Sequence, residues 1–432
     1  MLHGDGMMLI LYRILFPLVF LFFLPGLIWK LIHRPGWKKT YAERFARFSK
    51  ERKKELAEFH GCVWLHAVSV GETNLALTVL KEWVAREPDR KFVLSTTTTT
   101  AQEIARNRAP GKTAVIFCPI DFAPFVSKVL DLLKPCALVI FETELWPNMV
   151  LMAHKRGIRT ALINTRISDR SFRGYRRFRC FFAPILRAFD AIGAQTETDR
   201  ERLMAVAPDA ADKIVVTGNI KFDQMPSEKP GFDFSTVFGK DHGKIVTAAS
   251  THSPEDGLIV QAFAEVRKKY PETKLVIVPR HAERGGEIEK ILIDSGLNWL
   301  RRSTGKGSGD APDVLLADTT GELPGFLKSS DLVIMGKTLA GNDEGQNIIE
   351  PALLGKPVLC GPKLKNFRQA IDALKKNHAV RIVEPDSRLA AELEGLLADP
   401  AAAAELGAAA ARTMQSNRGA LRKTMEIIGK LT

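Results

Sequence analysis

The stretch CVWLHAVSVGETNLALTVLKEW, residues 62–83, decides how the chain folds. Its first seven residues are an apolar run of strand length. Its second half spaces Leu75, Val79 and Trp83 four residues apart, the period of one face of a helix. The turn between them contains Gly71 and carries Glu72 as its first committed charge. A buried strand is a rigid mount and a glycine lets the backbone bend sharply, so a carboxylate placed there is held. The same glutamate also suits a helix cap, where an acid in the first turn complements the helix dipole. This stretch alone leaves both readings open.

The strand–turn–helix pattern repeats outward from it. KFVLS precedes TAQEIARNRA, TAVIFC precedes DFAPFVSKVLDLLK, and CALVIF precedes WPNMVLMAHKR, with RTALIN, AIGAQ and KIVVTG following. The stretch 223–244, DQMPSEKPGFDFSTVFGKDHGK, is rich in Pro, Gly and charge, has no clear period, and reads as a linker. Beyond it KIVTAAS, KLVIVPR, VLLAD, LVIMG, PVLCG and AVRIV restart the alternation. Strict alternation implies an α/β protein with parallel sheets covered by helices on both faces. The expected division is an N-terminal segment (1–36), a first domain (37–228) and a second (229–432). Two such domains are expected to face a cleft, with ligands beyond the carboxyl ends of the strands.

At 432 residues, 45% hydrophobic and 26% charged, the chain has room for two ordinary cores. A net charge of +13 implies an acidic partner: a nucleic acid, an anionic membrane or a phosphorylated substrate. No RNP-type aromatic motif, zinc finger or recognition-helix signature accompanies that charge, so nucleic acid is not the expected partner. Of five scattered cysteines without a C-x-x-C pair, most sit in apolar runs and read as small core residues of a reducing compartment. From Met7 to Trp29 the chain is almost wholly apolar, and the run after Arg13 covers roughly 24 Å at helical rise. Residues 30–54 then carry ten Lys or Arg against two Glu. An apolar helix with a basic collar is expected to anchor the protein to a membrane, spanning it with Arg13 snorkelling or lying in the interface, with the domains on the cytoplasmic side.

The strand exits hold the chemistry-bearing residues. Arg280 offers a planar fork for phosphate, and Asn347 and Glu350 lie one helical turn apart, suited to a ribose and a base edge. Glu142 and Glu144 leave CALVIF together, and Lys221 follows KIVVTG. No D-x-D string accompanies the two acids, so no metal is expected. Each of these also has a plain reading: solvated acids, a solvated lysine, an Arg280–Glu283 surface pair, first-turn residues of a helix. Their concentration at strand exits favours a site. PGKT at 110 and GKT at 336 lack the first glycine of a phosphate loop and are set aside.

Taken in order, HAVSVGET, FETELWPN, TGNIKFD, AASTHSPED, VPRHAER, DTTGEL and GQNIIEP resemble the 3-deoxy-D-manno-octulosonic acid (Kdo) transferases of Gram-negative bacteria, over nearly the whole chain. The resemblance implies a GT-B glycosyltransferase that moves Kdo from CMP-Kdo to a lipid A precursor, inverting the anomeric carbon, with no metal or other cofactor. It places the general base on Glu72 and transition-state support on Glu142 and Lys221. It places the CMP contacts on Pro279 and Arg280, on Thr320, Gly321 and Glu322, and on Asn347, Ile348, Ile349 and Glu350. The family commonly shows G-G-S-L and G-G-H-N, where this chain has GKTL, with Lys337 for the second glycine, and DEGQN, with Gln346 at the histidine position. The rival readings are a membrane-associated GT-B transferase using a UDP-sugar, which a CMP-against-UDP titration separates, and a non-enzymatic binder of anionic lipid or nucleic acid.

Overall fold

The computed structural model describes residues 11–16, 42–224, 226–309, 311–384 and 388–432. Most of the apolar segment from Met7 to Trp29, and the start of the basic collar, lie outside these residues. Among the described residues no helix is long and apolar enough to cross a membrane. The chain divides into two compact units, Met1–Asp223 with Arg418–Thr432, and Gln224–Asn417.

The first unit holds seven parallel strands: β1 (Val63–Ala67), β2 (Phe92–Thr96), β3 (Thr113–Phe117), β4 (Ala137–Phe141), β5 (Arg159–Thr165), β6 (Ala191–Ala194) and β7 (Ile214–Val216). Their order across the sheet is β3-β2-β1-β4-β5-β6-β7. Alternation sorts side chains to two cores: Trp64, Leu138 and Ile140 to one face, Val63, Leu65 and Val139 to the other. All five residues of β1 are buried, as expected of a sheet covered on both sides. Sequential strands run outward from β1 to β3, and the chain then crosses to β4 on the other side of β1. That reversal makes the carboxyl ends of β1 and β4 the place where a crevice opens.

The second unit repeats the plan with β8 (Ile245–Thr251), β9 (Lys274–Pro279), β10 (Trp299–Arg301), β11 (Val314–Leu316), β12 (Leu332–Met335), β13 (Val358–Cys360) and β14 (Arg381–Ile382). All pairings are again parallel, in the order β10-β11-β9-β8-β12-β13-β14. Here the reversal falls between β8 and β12. The α/β class with two Rossmann-like domains is as the sequence implied. The edge strand β10 was not anticipated, because three residues among NWLRR make no apolar run.

Two boundaries differ from the expected division. The first unit closes at Asp223, and the stretch 223–244 is only partly a connector. Phe234 and Phe238 within it are 3% and 9% exposed and pack with Phe326 and Val276 in the second unit's core. Residues 418–432 do not belong with the second domain. The helix Ala420–Ile428 buries Ala420, Met425 and Ile428 beside Ile163 and Ile220 of the first unit. The Asp223 carboxylate fixes its start, accepting the Gly419 and Leu421 N–H groups at 2.6 Å each.

Residues 11–16 are helical and also belong to the first unit. Tyr12 donates to Asp121 Oδ2 at 2.8 Å and Arg13 Nε to Asn148 Oδ1 at 2.9 Å. Leu11, Ile14 and Leu15, spaced on one helical face, remain exposed. Arg13 therefore has a protein partner, which the snorkelling expectation did not foresee.

Candidate active site

Each unit presents a set of residues at its strand reversal. In the first, β1 runs into the helix Val70–Arg86, whose N-cap Ser69 accepts the Glu72 N–H. Glu72 answers: its Oε2 accepts the Val68 N–H at 2.7 Å and its Oε1 the Ser69 hydroxyl at 2.9 Å. It is thus a rigidly held carboxylate in the first helical turn, 6% exposed. An ionised carboxylate has about four acceptor positions, so two bonds leave it able to take another proton donor. Burial raises its pKa against the pull of the Val68 and Ser69 bonds, and Glu142 adds to the rise.

The β4 exit lies beside it, since His66 pairs with Ile140 in register. Glu142 takes a left-handed backbone, φ +58°, while its N–H still reaches Ile163 O at 2.9 Å. The chain then turns through residues 142–145 and brings the Trp146 ring edge-on to His66, centroids 6.1 Å apart. Lys221 Nζ lies 3.7 Å from Glu142 Oε1, with both groups partly exposed. The Lys221 turn is pinned by buried Asn164, also left-handed at φ +54°, whose Oδ1 accepts the Ile220 N–H at 3.0 Å. Glu72, Glu142 and Lys221 therefore converge at adjoining exits. Glu144 joins them: burial first, then the charges of Glu72 and Glu142, push its carboxyl up to about 7. His66 is structural. It is fully buried, bonded through Nδ1 to Ser95 Oγ at 2.9 Å, and burial pushes it down to about 4.

In the second unit, Gly336 lets the β12 exit abut that of β8; a Cβ there would stand 2.4 Å from Ser250 O. A cavity of about 200 Å³ opens at this point. Ser250, Arg280, Gln346, Asn347 and Glu350 supply its polar lining, and Leu323 and Met335 part of its apolar wall. Arg280, Asn347 and Glu350, singled out from sequence, thus share one cavity. Burial raises the Glu350 pKa, opposed by the Ser227 N–H and by Lys328. Asn347 Oδ1 also accepts the Ile349 N–H at 3.2 Å.

The other expected contacts are placed differently. Pro279, Ile348 and Ile349 are buried, so the two isoleucines offer a ligand backbone rather than side chain. Gly321, at φ +82°, sits in the turn before Leu323, with Thr320 exposed beside it. Glu322 is held by Arg302, whose Nε and Nη2 both reach its carboxylate, at 3.0 and 2.8 Å. Sequence reasoning missed Ser250 and Asn164, and did not count Glu144 or Gln346 among the site residues. The first two lie at register shifts in β8 and β5, bulges that re-aim a side chain and leave no mark in composition. Among the described residues no three His, Cys, Asp or Glu side chains are grouped to hold a metal ion.

Known proteins resemble the chain at two levels. A family profile described as 3-deoxy-D-manno-octulosonic-acid transferase (kdotransferase) matches residues 39–224. A 3-deoxy-D-manno-octulosonic acid transferase of Bordetella pertussis is 31% identical over 98% of this chain and 99% of its own length. Among solved structures, a glycosyltransferase from Rickettsia africae superposes with a TM-score of 0.56 at 14% identity, over 86% of this chain and 98% of that one. A UDP-GlcNAc 2-epimerase from Neisseria meningitidis does so with 0.56 at 17%, over 85% and 99%. A fold shared by a transferase and an epimerase does not choose the reaction. Full-length identity to the Bordetella enzyme does: the chain belongs to the 3-deoxy-D-manno-octulosonic acid transferase family and is a GT-B glycosyltransferase.

Proposed function

We propose that the enzyme moves Kdo from CMP-Kdo to the hydroxyl of a lipid A precursor, with inversion and without a metal, at the cytoplasmic face of the inner membrane. The observation that carries this reading is the Glu72 carboxylate, fixed by two hydrogen bonds at the β1 exit with acceptor capacity to spare. An acceptor hydroxyl is a poor nucleophile at neutral pH, and a fixed carboxylate takes its proton as the new C–O bond forms. The bond from the anomeric carbon to the CMP phosphate breaks, and its electron pair leaves with the phosphate. A single displacement of this kind inverts the centre. One departing phosphate carries less charge than two, and Arg280 in the second-unit cavity is the cation assigned to it. The Asn347 amide and Glu350 carboxylate suit the hydroxyls and base edge of a nucleoside.

The membrane reading is supported by one face of the first unit. Arg170, Arg173, Arg176, Arg177 and Arg179 are exposed around Phe178, itself 51% exposed. The Phe181 ring contacts Tyr12 at 5.6 Å, which puts exposed Leu11, Ile14 and Leu15 on the same unit nearby. Guanidinium groups interleaved with apolar side chains fit an anionic lipid surface.

The test is incubation of the full chain with freshly made CMP-Kdo and a tetra-acylated lipid A precursor, with products weighed by mass spectrometry. Glu72→Ala should keep CMP binding and lose transfer by about 10²- to 10⁴-fold. Near-normal turnover in that variant would remove Glu72 as the base, and no product from the parent enzyme would remove the acceptor.

A further inference from the structure

Lysine at a left-handed backbone position is uncommon, because its Cβ crowds the carbonyl there. Lys337 occupies such a position, φ +59°, directly after β12. Its neighbours account for why the chain holds it there. Its N–H donates to Glu255 Oε1 at 2.5 Å, and Glu255, with no solvent exposure, also accepts the N–H groups of His252 at 2.9 Å, Thr338 at 3.2 Å and Leu339 at 3.1 Å. One buried carboxylate thus ties the β8 exit to the β12 exit. From this base the chain leaves as a loop and returns: the Gly345 N–H donates to Lys337 O at 2.8 Å, and Lys337 Nζ pairs with Glu344. The far side of the loop is held by Lys365, paired with Asp343, and by the Asn366 N–H on Glu344 O at 2.9 Å.

The next two residues, Gln346 and Asn347, line the 200 Å³ cavity. We infer that Lys337 and Glu344 form a clasp that closes the neck of this loop and so positions Gln346 and Asn347 for the nucleotide of the donor. This rests on the reading of the cavity as the CMP site. Lys337 acts through the loop and not on the ligand, which makes it a positioning residue. The left-handed backbone aims its side chain back across the neck, and the ion pair, with Lys337 24% and Glu344 52% exposed, is accessible to mutation without disturbing the core.

Calorimetric titration with CMP tests it, on the full-length enzyme. A loop that is competent only a fraction of the time lowers apparent affinity by that fraction, so Lys337→Met and Glu344→Gln should each weaken CMP binding about fivefold, and the double variant no further. The exchanged pair, Lys337→Glu with Glu344→Lys, should recover most of the affinity. Lys337→Gly separates backbone from charge: it accepts the left-handed conformation freely and still lacks the clasp, so it should bind as weakly as Lys337→Met. Parent-like affinity in Lys337→Gly or Lys337→Met, or losses that simply add in the double variant, would overturn the inference. If the parent enzyme binds no CMP, the donor reading fails by itself. The clasp is then decided by amide exchange without ligand: Lys337→Met must speed exchange at Gly345 and Gln346, and unchanged exchange there rejects it.

Discussion

Replacing Glu144 with glutamine should flatten the pH dependence of stability. Burial and two neighbouring carboxylates lift this acid from 4.5 to about 7 in the folded protein. The folded state then binds the proton more tightly than the unfolded one, so its contribution is full below the ordinary carboxyl range and is lost as pH rises through about 7. Urea unfolding of parent and variant at steps from about pH 5 to about pH 8 isolates that slope, and parallel curves would show that Glu144 carries no raised pKa. Glu72 was legible in sequence as an acid that follows a strand exit and opens a helix, and the structure places it in the first turn of that helix. The left-handed backbones of Glu142, Ser250 and Lys337 were not legible. Glycine and asparagine are the residues that advertise such a backbone, and here an acid, a serine and a lysine adopt it against a penalty of about 1 to 2 kcal/mol each. Local strain of this sort is set by the surrounding hydrogen bonds, which no window of sequence displays.

Alternating strands and helices were readable at the scale of elements, because each central strand is an apolar run bounded by turn residues. What failed was sparse or aperiodic. The edge strand β10 lies in NWLRR, where polar and charged neighbours leave no apolar run. Phe232, Phe234 and Phe238 sit among Pro, Gly and charge in a stretch that reads as a connector, although two of them are core. The helix Ala420–Ile428 carries a strong amphipathic pattern, yet nothing local says which unit it covers. Its tether gives a test: Asp223→Ala removes a charged acceptor from two N–H groups at the helix start and should lower stability by about 1 to 2 kcal/mol. The loss should appear in the unfolding of the first unit, followed through Trp64 and Trp83 fluorescence, which are both in that unit. An unshifted urea midpoint would mean the cap contributes nothing.

Over the whole molecule, the donor reading predicts where ligand-induced protection falls. Saturating CMP should slow amide exchange around residues 249–250, 280, 323–327, 335 and 346–350, where the lining of the second unit's cavity lies, and leave β1 to β7 unchanged. Protection at 66–73 instead would put the nucleotide in the first unit. The division into units also has a consequence during synthesis. The segment Arg418–Thr432 packs with residues made before Gln224, so a ribosome must deliver the entire second unit before the first can bury the apolar surface around Ile163 and Ile220. The earliest-made half is the last to be finished, and for the time needed to translate nearly two hundred residues (224–417) it waits with an open seam that chaperones would be expected to cover.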